Sequence, residues 1–248
     1  MNCRSIKYDC DKLKLVALGD VHFGGKECDE KLFLDKVNWI KKQKDCAVIL
    51  MGDMINCGTK VSVGAGAFDD DFNPEEQYEM MLKILKPISD KIVMALTGNH
   101  EERIRIQSSF DITKLLSREL DIYYAKEGSA LMDFKVKNQH YIVHAKHGST
   151  GSGTPAGKMN GCLKMADNAD ADIFLQGHVH SLQHNVQMFR RYNLKNKMID
   201  ERERHFVLTG AFLDWDGSYG ELKGYSPLKK GMPTLHLNGD RFDVQVEM

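Results

Sequence analysis

LKLVALGDVH, residues 13–22, is the stretch on which the fold turns. Its first seven residues are apolar apart from Lys14, and they end in Gly19-Asp20-Val21-His22. A short apolar run bounded by a turn reads as a buried strand, and its polar tail reads as a loop that presents side chains. The same arrangement recurs three times downstream. CAVILM (46–51) leads into Gly52-Asp53-Met54-Ile55-Asn56, and residues 92–96 precede Gly98-Asn99-His100-Glu101. Residues 172–176 precede Gly177-His178-Val179-His180.

Helical patterns fill the gaps between these runs. Residues 29–44 carry Leu32, Val37 and Ile40 at helical spacing, and residues 74–86 begin with Pro74 followed by Glu75 and Glu76, as helix starts prefer. Residues 101–119 read as helix with a break near Ser108-Ser109, and residues 158–168 as a further helix. Neighbouring strands are expected at 130–137 and 140–145, joined through Lys137-Asn138, with more strand at 184–192, 205–208 and 234–246. Strand–helix alternation first and more strand later predicts an α/β fold of two packed sheets. No linker divides the chain, so residues 1–248 are expected to form a single domain.

Composition narrows the function. With 34 basic and 35 acidic residues the net charge is −1, so no global basic field marks a nucleic-acid binder. Six cysteines are scattered without a CxxC pair, and residues 1–12 are polar with no signal-peptide pattern. The expectation is reduced thiols in the cytoplasm. No apolar run approaches the roughly 18 residues of a membrane span.

The four strand ends carry the chemistry. In α/β sheets ligands bind outside the carboxyl ends of the strands, so these Asp, His and Asn residues point to one rim. Imidazole and carboxylate donors together suit Mn, Fe, Zn or Ni better than Mg or Ca. A carboxylate such as Asp53 has two oxygens and can bridge two ions. Two ions about 3.5–4 Å apart can clamp a phosphoryl group and generate hydroxide. Asp20 and Asp53 alone would leave such a site at about +2, suited to a phosphate anion.

In order, these motifs resemble the calcineurin-like metallophosphoesterase family, whose pattern is DxH, GDxx(D/N), GNH(D/E), a lone His and GHxH. The resemblance covers residues 20–180. It implies two stacked mixed β-sheets flanked by helices, a four-layer sandwich. It implies one metal on Asp20, His22 and His180, a second on Asn99, His178 and the lone His, and Asp53 between them. Two divalent ions, Mn2+ first, are the expected cofactors. His100 takes the place of the family's general acid, and an imidazole near pH 6.5 suits that work. Both His144 and His147 are candidates for the lone His; His147 is favoured because it stands at the strand-to-loop turn before Gly148.

The resemblance implies hydrolysis of a phosphoester. The protein Ser/Thr phosphatase branch is demoted, because Asn56-Cys57-Gly58 and Thr97 stand where that branch has Asp-Arg-Gly and Arg. The chain looks more like the phosphodiesterase and nuclease branch. The expectation is attack by a metal-bridging hydroxide on a nucleotide or nucleic-acid phosphodiester. Phosphomonoester hydrolysis and a catalytically silent metal-binding subunit are the competing readings. Of the remaining candidates, Asn56 is expected beside the ligands rather than among them. Arg103 is expected to contact substrate phosphate or a helix-surface Glu. His184 is the nearest extra histidine, and the Gly-rich stretch 148–161 is expected as a flexible loop bordering the site; it matches neither a Walker A loop nor a convincing dinucleotide fingerprint.

Overall fold

In the computed structural model, β2 (Lys12–Leu18), β3 (Cys46–Leu50) and β4 (Ile92–Leu96) run parallel at the centre of a six-stranded sheet. The structure describes residues 3–59, 62, 70–149, 152–222 and 224–248. β5 (Tyr123–Ala125) extends the sheet in parallel beyond β4. β11 (Thr234–Asn238) and β12 (Val244–Glu247) add antiparallel strands beyond β2, giving the order β12-β11-β2-β3-β4-β5. The second sheet has the order β1-β6-β7-β8-β10-β9. Its strands are β1 (Cys3–Tyr8), β6 (Ser129–Val136), β7 (Gln139–Lys146), β8 (Ile173–Gln176), β9 (Leu182–Asn193) and β10 (Met198–Thr209). β7, β8 and β10 run parallel; the β6–β7 and β9–β10 pairs are antiparallel hairpins.

Why β3 is apolar throughout follows from its position. Its five residues are all buried: Ala47 and Ile49 face the other sheet, while Val48 and Leu50 face helices. A strand covered on both faces gains nothing from alternation. β6 alternates instead, with Ala130, Met132, Phe134 and Val136 turned into the layer between the sheets. The outer face of the first sheet is covered by α1 (Glu30–Lys42), α2 (Pro74–Leu85) and α4 (Ile112–Leu120), through Phe33, Val37, Met81, Leu85 and Leu116. α5 (Pro155–Leu163) covers the second sheet, setting Met159 and Cys162 against Phe174 and Phe206. Helix, sheet, sheet and helix are the four layers that the family resemblance implies.

Local signals account for most boundaries. Asp29 caps α1 by accepting from the Leu32 N–H, and Asn73 and Glu76 form a reciprocal capping box ahead of Pro74. The predicted break near Ser108-Ser109 separates α3 (Asn99–Ser108) from α4, with Ser109 at a φ of 59°. Two expectations need correction. The stretch 148–161 is not all loop: Thr154 accepts from the Gly157 N–H and Pro155 opens α5, so helix starts there. Residues 150–151 lie outside the described residues. Residues 182–209 form one hairpin with two twelve-residue strands rather than two short strands, because its polar residues pair across the strands and downward. Arg190 pairs with Glu201, while Arg191 and Arg204 reach Asp170. Among the described residues no helix is long and apolar enough to cross a membrane.

Candidate metal centre

Each candidate side chain leaves the end of a buried strand. Asp20 and His22 follow β2, Asp53 follows β3, and Asn99 and His100 open α3 just after β4. His147 follows β7, and His178 and His180 follow β8. Five of these residues sit in left-handed backbone: Asp20 at φ 50°, His22 at 52°, Asp53 at 49°, His178 at 69° and His180 at 48°. Non-glycine residues rarely enter that region, and each such residue costs about 1–3 kcal/mol. A cluster of five persists only where its surroundings hold it.

Backbone bonds between adjacent loops supply that hold. The Asp20 N–H donates to the Gly52 carbonyl at 3.0 Å, and those of Val21 and His22 donate to the Asp53 carbonyl at 2.8 and 3.0 Å. The His178 N–H reaches both carboxylate oxygens of Asp20, at 2.9 and 3.0 Å. Gly98 permits the closest approach: a Cβ there would lie 2.1 Å from Asp53 Oδ1 and 2.2 Å from its nitrogen. Gly52, at φ 93°, packs against Gly98 in turn.

Glu101 completes the frame. It is buried, and its carboxylate accepts from four backbone N–H groups: Met54 at 2.7 Å, Asp53 at 3.0 Å, Gly98 at 3.1 Å and Ile55 at 3.3 Å. One side chain thereby ties the loop after β3 to the loop after β4. Burial and the Asp53 charge push its pKa up to about 7, against the pull of those donors. Its role is absent from the sequence reading, although Glu101 stands in the Gly98-Asn99-His100-Glu101 motif. An acid at the third position of a helix was the available signal, and its four partners lie in loops that the sequence does not place together.

The functional atoms converge in two groups that share Asp53. Asp20, His22, Asp53 and His180 each offer a ligand atom within 4.8 Å of the others, and so do Asp53, His147 and His178. His22 Nε2 faces His180 Nε2 at 3.1 Å. Asn99 Oδ1 lies 2.9 Å from His147 Nε2 and 2.7 Å from His178 Nδ1. Asp53 Oδ1 accepts the His100 N–H at 2.9 Å, whereas Oδ2 is buried and has no hydrogen-bond partner. A buried carboxylate oxygen left bare is expensive, and one set between imidazoles fits a cation. His147 Nε2 stands 3.3 Å from that oxygen and His22 Nε2 3.7 Å. The donor set of imidazole, carboxylate and amide oxygen suits first-row divalent metals.

The electrostatics agree with this fit. Burial would raise the Asp53 carboxyl, yet His147, His100 and His22 hold it well below the usual carboxylate range. Burial works against a charge on His147 too, but Asp53 overcomes it and pushes the imidazole up to about 10. His22 is driven the other way, first by burial and then by the other histidines around it. His100 is also lowered, mainly by burial, so the ordinary acidity expected of it does not hold in the protein alone. Its Nδ1 donates to the Asn56 carbonyl at 2.6 Å, and Nε2 makes no hydrogen bond among the described residues.

All seven predicted ligand residues and His100 therefore come together. His144 does not: its Nε2 lies 3.0 Å from Ser129 Oγ on the β6–β7 hairpin. Asn56 stands beside the cluster, with its amide donating to Asp70. Arg103 pairs with no glutamate among the described residues; it donates to Ser62 Oγ at 2.6 Å. His184 stacks on His205 outside both groups.

The family model described as calcineurin-like phosphoesterase matches residues 13–182. The chain belongs to the calcineurin-like phosphoesterase family. Family membership and the assembled Asp, His and Asn side chains together support metal-dependent phosphoester hydrolysis. A comparison with curated proteins gives no match. Among solved structures the phosphoesterase is similar to an NAD nucleotidase of Haemophilus influenzae, at 10% identity and a TM-score of 0.45. The similarity covers 97% of this chain and 50% of that one, so the phosphoesterase spans about half the length of the nucleotidase.

Proposed function

We propose that this phosphoesterase is a single-domain, dinuclear phosphodiesterase acting on nucleotide or nucleic-acid phosphodiesters. The observation that carries the dinuclear reading is Asp53, which belongs to both ligand groups and whose buried Oδ2 has no hydrogen-bond partner. Asp20, His22 and His180 would hold one ion, and Asn99, His147 and His178 the other, with Asp53 between them. Mn2+ is the first candidate. When bound, such a pair supplies Lewis acidity and a water made acidic enough to attack at neutral pH.

The chain's own residues do the rest. Glu101 fixes the two loops that carry Asp53 and Asn99. Asn56 orients His100 through its carbonyl, so that Nε2 faces the leaving oxygen. Burial keeps His100 neutral in the resting protein; a phosphoryl anion beside it favours the imidazolium, which then protonates the leaving group. Both sheets contribute ligands, which supports one domain. The six unpaired thiols fit a reducing compartment, and the cytoplasm is proposed on that ground.

Hydrolysis of bis(p-nitrophenyl) phosphate with added Mn2+, together with metal content per chain, tests the reading. Chelator-sensitive turnover and two ions per chain are expected. Asp53→Ala should lose metal and activity, while His100→Ala should keep both ions and lose about 100-fold or more in kcat. Turnover of the monoester alone would move the assignment to a phosphomonoesterase. Absence of bound metal would remove the enzyme reading of the site.

A further inference from the structure

A cavity of about 350 Å3 opens beside the ligand groups, with His178 and His180 in its wall. Small-molecule sites run from roughly 300 to 1,000 Å3. The rest of the wall includes Glu27, Ser152 and Gly153 before α5, Lys158 on α5, and residues between 211 and 220 and between 225 and 230.

Two features of that wall select a ligand. Lys158, on α5, is half-buried, and no carboxylate pairs with it among the described residues. The neighbouring lysines are committed elsewhere: Lys230 pairs with Asp29 and Asp214, and Lys229 donates to the Met248 carbonyl. Lys158 is thus a wall cation with no carboxylate beside it among the described residues, and burial lowers its pKa. A phosphate oxygen is a partner that fits it. The second feature is aromatic. The Trp215 indole N–H donates to the Tyr225 carbonyl at 2.8 Å, which locks the indole without using its ring face. Tyr225 keeps 48% of its surface exposed and borders Gly153, where a Cβ would lie 3.8 Å from its ring. Rigid aromatic rings beside a cation form a platform for a flat, anionic ligand.

Resting on the phosphodiesterase reading of the metal centre, we propose that this cavity binds the nucleotidyl part of the substrate, with Lys158 on a phosphate oxygen and the nucleobase against Trp215 and Tyr225. Stacking is tolerant of base identity, because every base has a π-face. The cavity thus selects nucleotides as a class without choosing among them.

The test uses the full chain loaded with Mn2+. AMP and inorganic phosphate are titrated calorimetrically, and kcat/KM is measured for thymidine 5′-(p-nitrophenyl phosphate) and for methyl p-nitrophenyl phosphate. AMP should bind about tenfold or more tightly than phosphate. Lys158→Ala and Trp215→Leu should each weaken AMP binding by about tenfold and lower the nucleotidyl-to-methyl ratio of kcat/KM to a similar extent, mainly through KM. Lys158→Arg and Trp215→Phe should restore most of both. If AMP binds no better than phosphate, or the variants lower both esters equally, the cavity assignment is wrong while the diesterase reading stands. If AMP binding depends on Lys158 but no diester is hydrolysed, the diesterase reading fails and the nucleotide cavity stands.

Discussion

Replacing Glu101 by alanine should damage both stability and the metal centre, and the size of each loss follows from four hydrogen bonds. The carboxylate is 3% exposed, so water does not freely replace it. A buried N–H deprived of its acceptor costs about 1–3 kcal/mol. Three of the four bonds, at 2.7, 3.0 and 3.1 Å, are near ideal length, and the Ile55 bond at 3.3 Å is weaker. Allowing one water to enter the vacated space, about 3–5 kcal/mol should be lost. Glu101→Gln retains one acceptor oxygen and should lose about half as much. The same bonds hold Asp53 at its positive φ, so metal affinity should fall about 10–100-fold, as when other partners that orient ligands are removed. Urea unfolding of the chelated protein gives the first quantity, and Mn2+ titration gives the second. An alanine variant within about 1 kcal/mol of the parent and binding Mn2+ equally well would refute the framing role given to this side chain.

Other perturbations have equally definite outcomes. Gly98→Ala forces a methyl group into Asp53 and should abolish tight Mn2+ binding, readable by metal analysis of the purified variant, while Gly217→Ala, with open space around it, should keep its metal. Metal binding at pH 8 should release about one proton, because Asp53 keeps His147 protonated up to about 10 in the metal-free protein. Calorimetry in buffers of different ionisation enthalpy measures that proton, and a buffer-independent enthalpy would contradict it. His205, buried with Nε2 lacking a hydrogen bond but 3.5 Å from Glu203 Oε2, has its pKa lowered from the ordinary 6.5 to about 4, first by burial and then by His184. Below pH 6.5 the unfolded chain takes up a proton that the folded one resists, so stability should fall as pH drops from about 6.5 towards 4. The loss should be about 1–3 kcal/mol, and His205→Phe should flatten that part of the Tm-against-pH curve.

The sequence announces the strands of the centre because burial on both faces leaves apolar runs such as CAVILM with a ligand directly after each. β1 and β5 escape for the opposite reason. They are edge strands, three or six residues long and partly exposed, and no pattern of burial marks them. The distal half of the β9–β10 hairpin is hidden by its charges, which pair across strands once the partner is known. Within the site, His147 and the Gly-Asp, Asn-His and His-x-His tails are legible because ligand chemistry needs those residue types. Glu101 is not, since its function is to hold backbone amides that converge only after the loops are in place. The lowered pKa of His100 is likewise a property of its burial, which its motif does not express.

Asp20, His22, Asp53 and Asn99 hang from one sheet and His147, His178 and His180 from the other. The facing imidazoles of His22 and His180 are 158 positions apart along the chain. Neither half of the polypeptide therefore holds the candidate centre alone. The centre is a seam, and it comes into being only when the two halves dock. Contacts so distant in sequence are among the last to form during folding, because long loops must close first. A ribosome must release nearly the whole of residues 20–180 before the seam can be sewn, and an ion held there would work as a clasp as much as a reagent. Starving a cell of that metal would then loosen the join between the sheets as well as stop the chemistry.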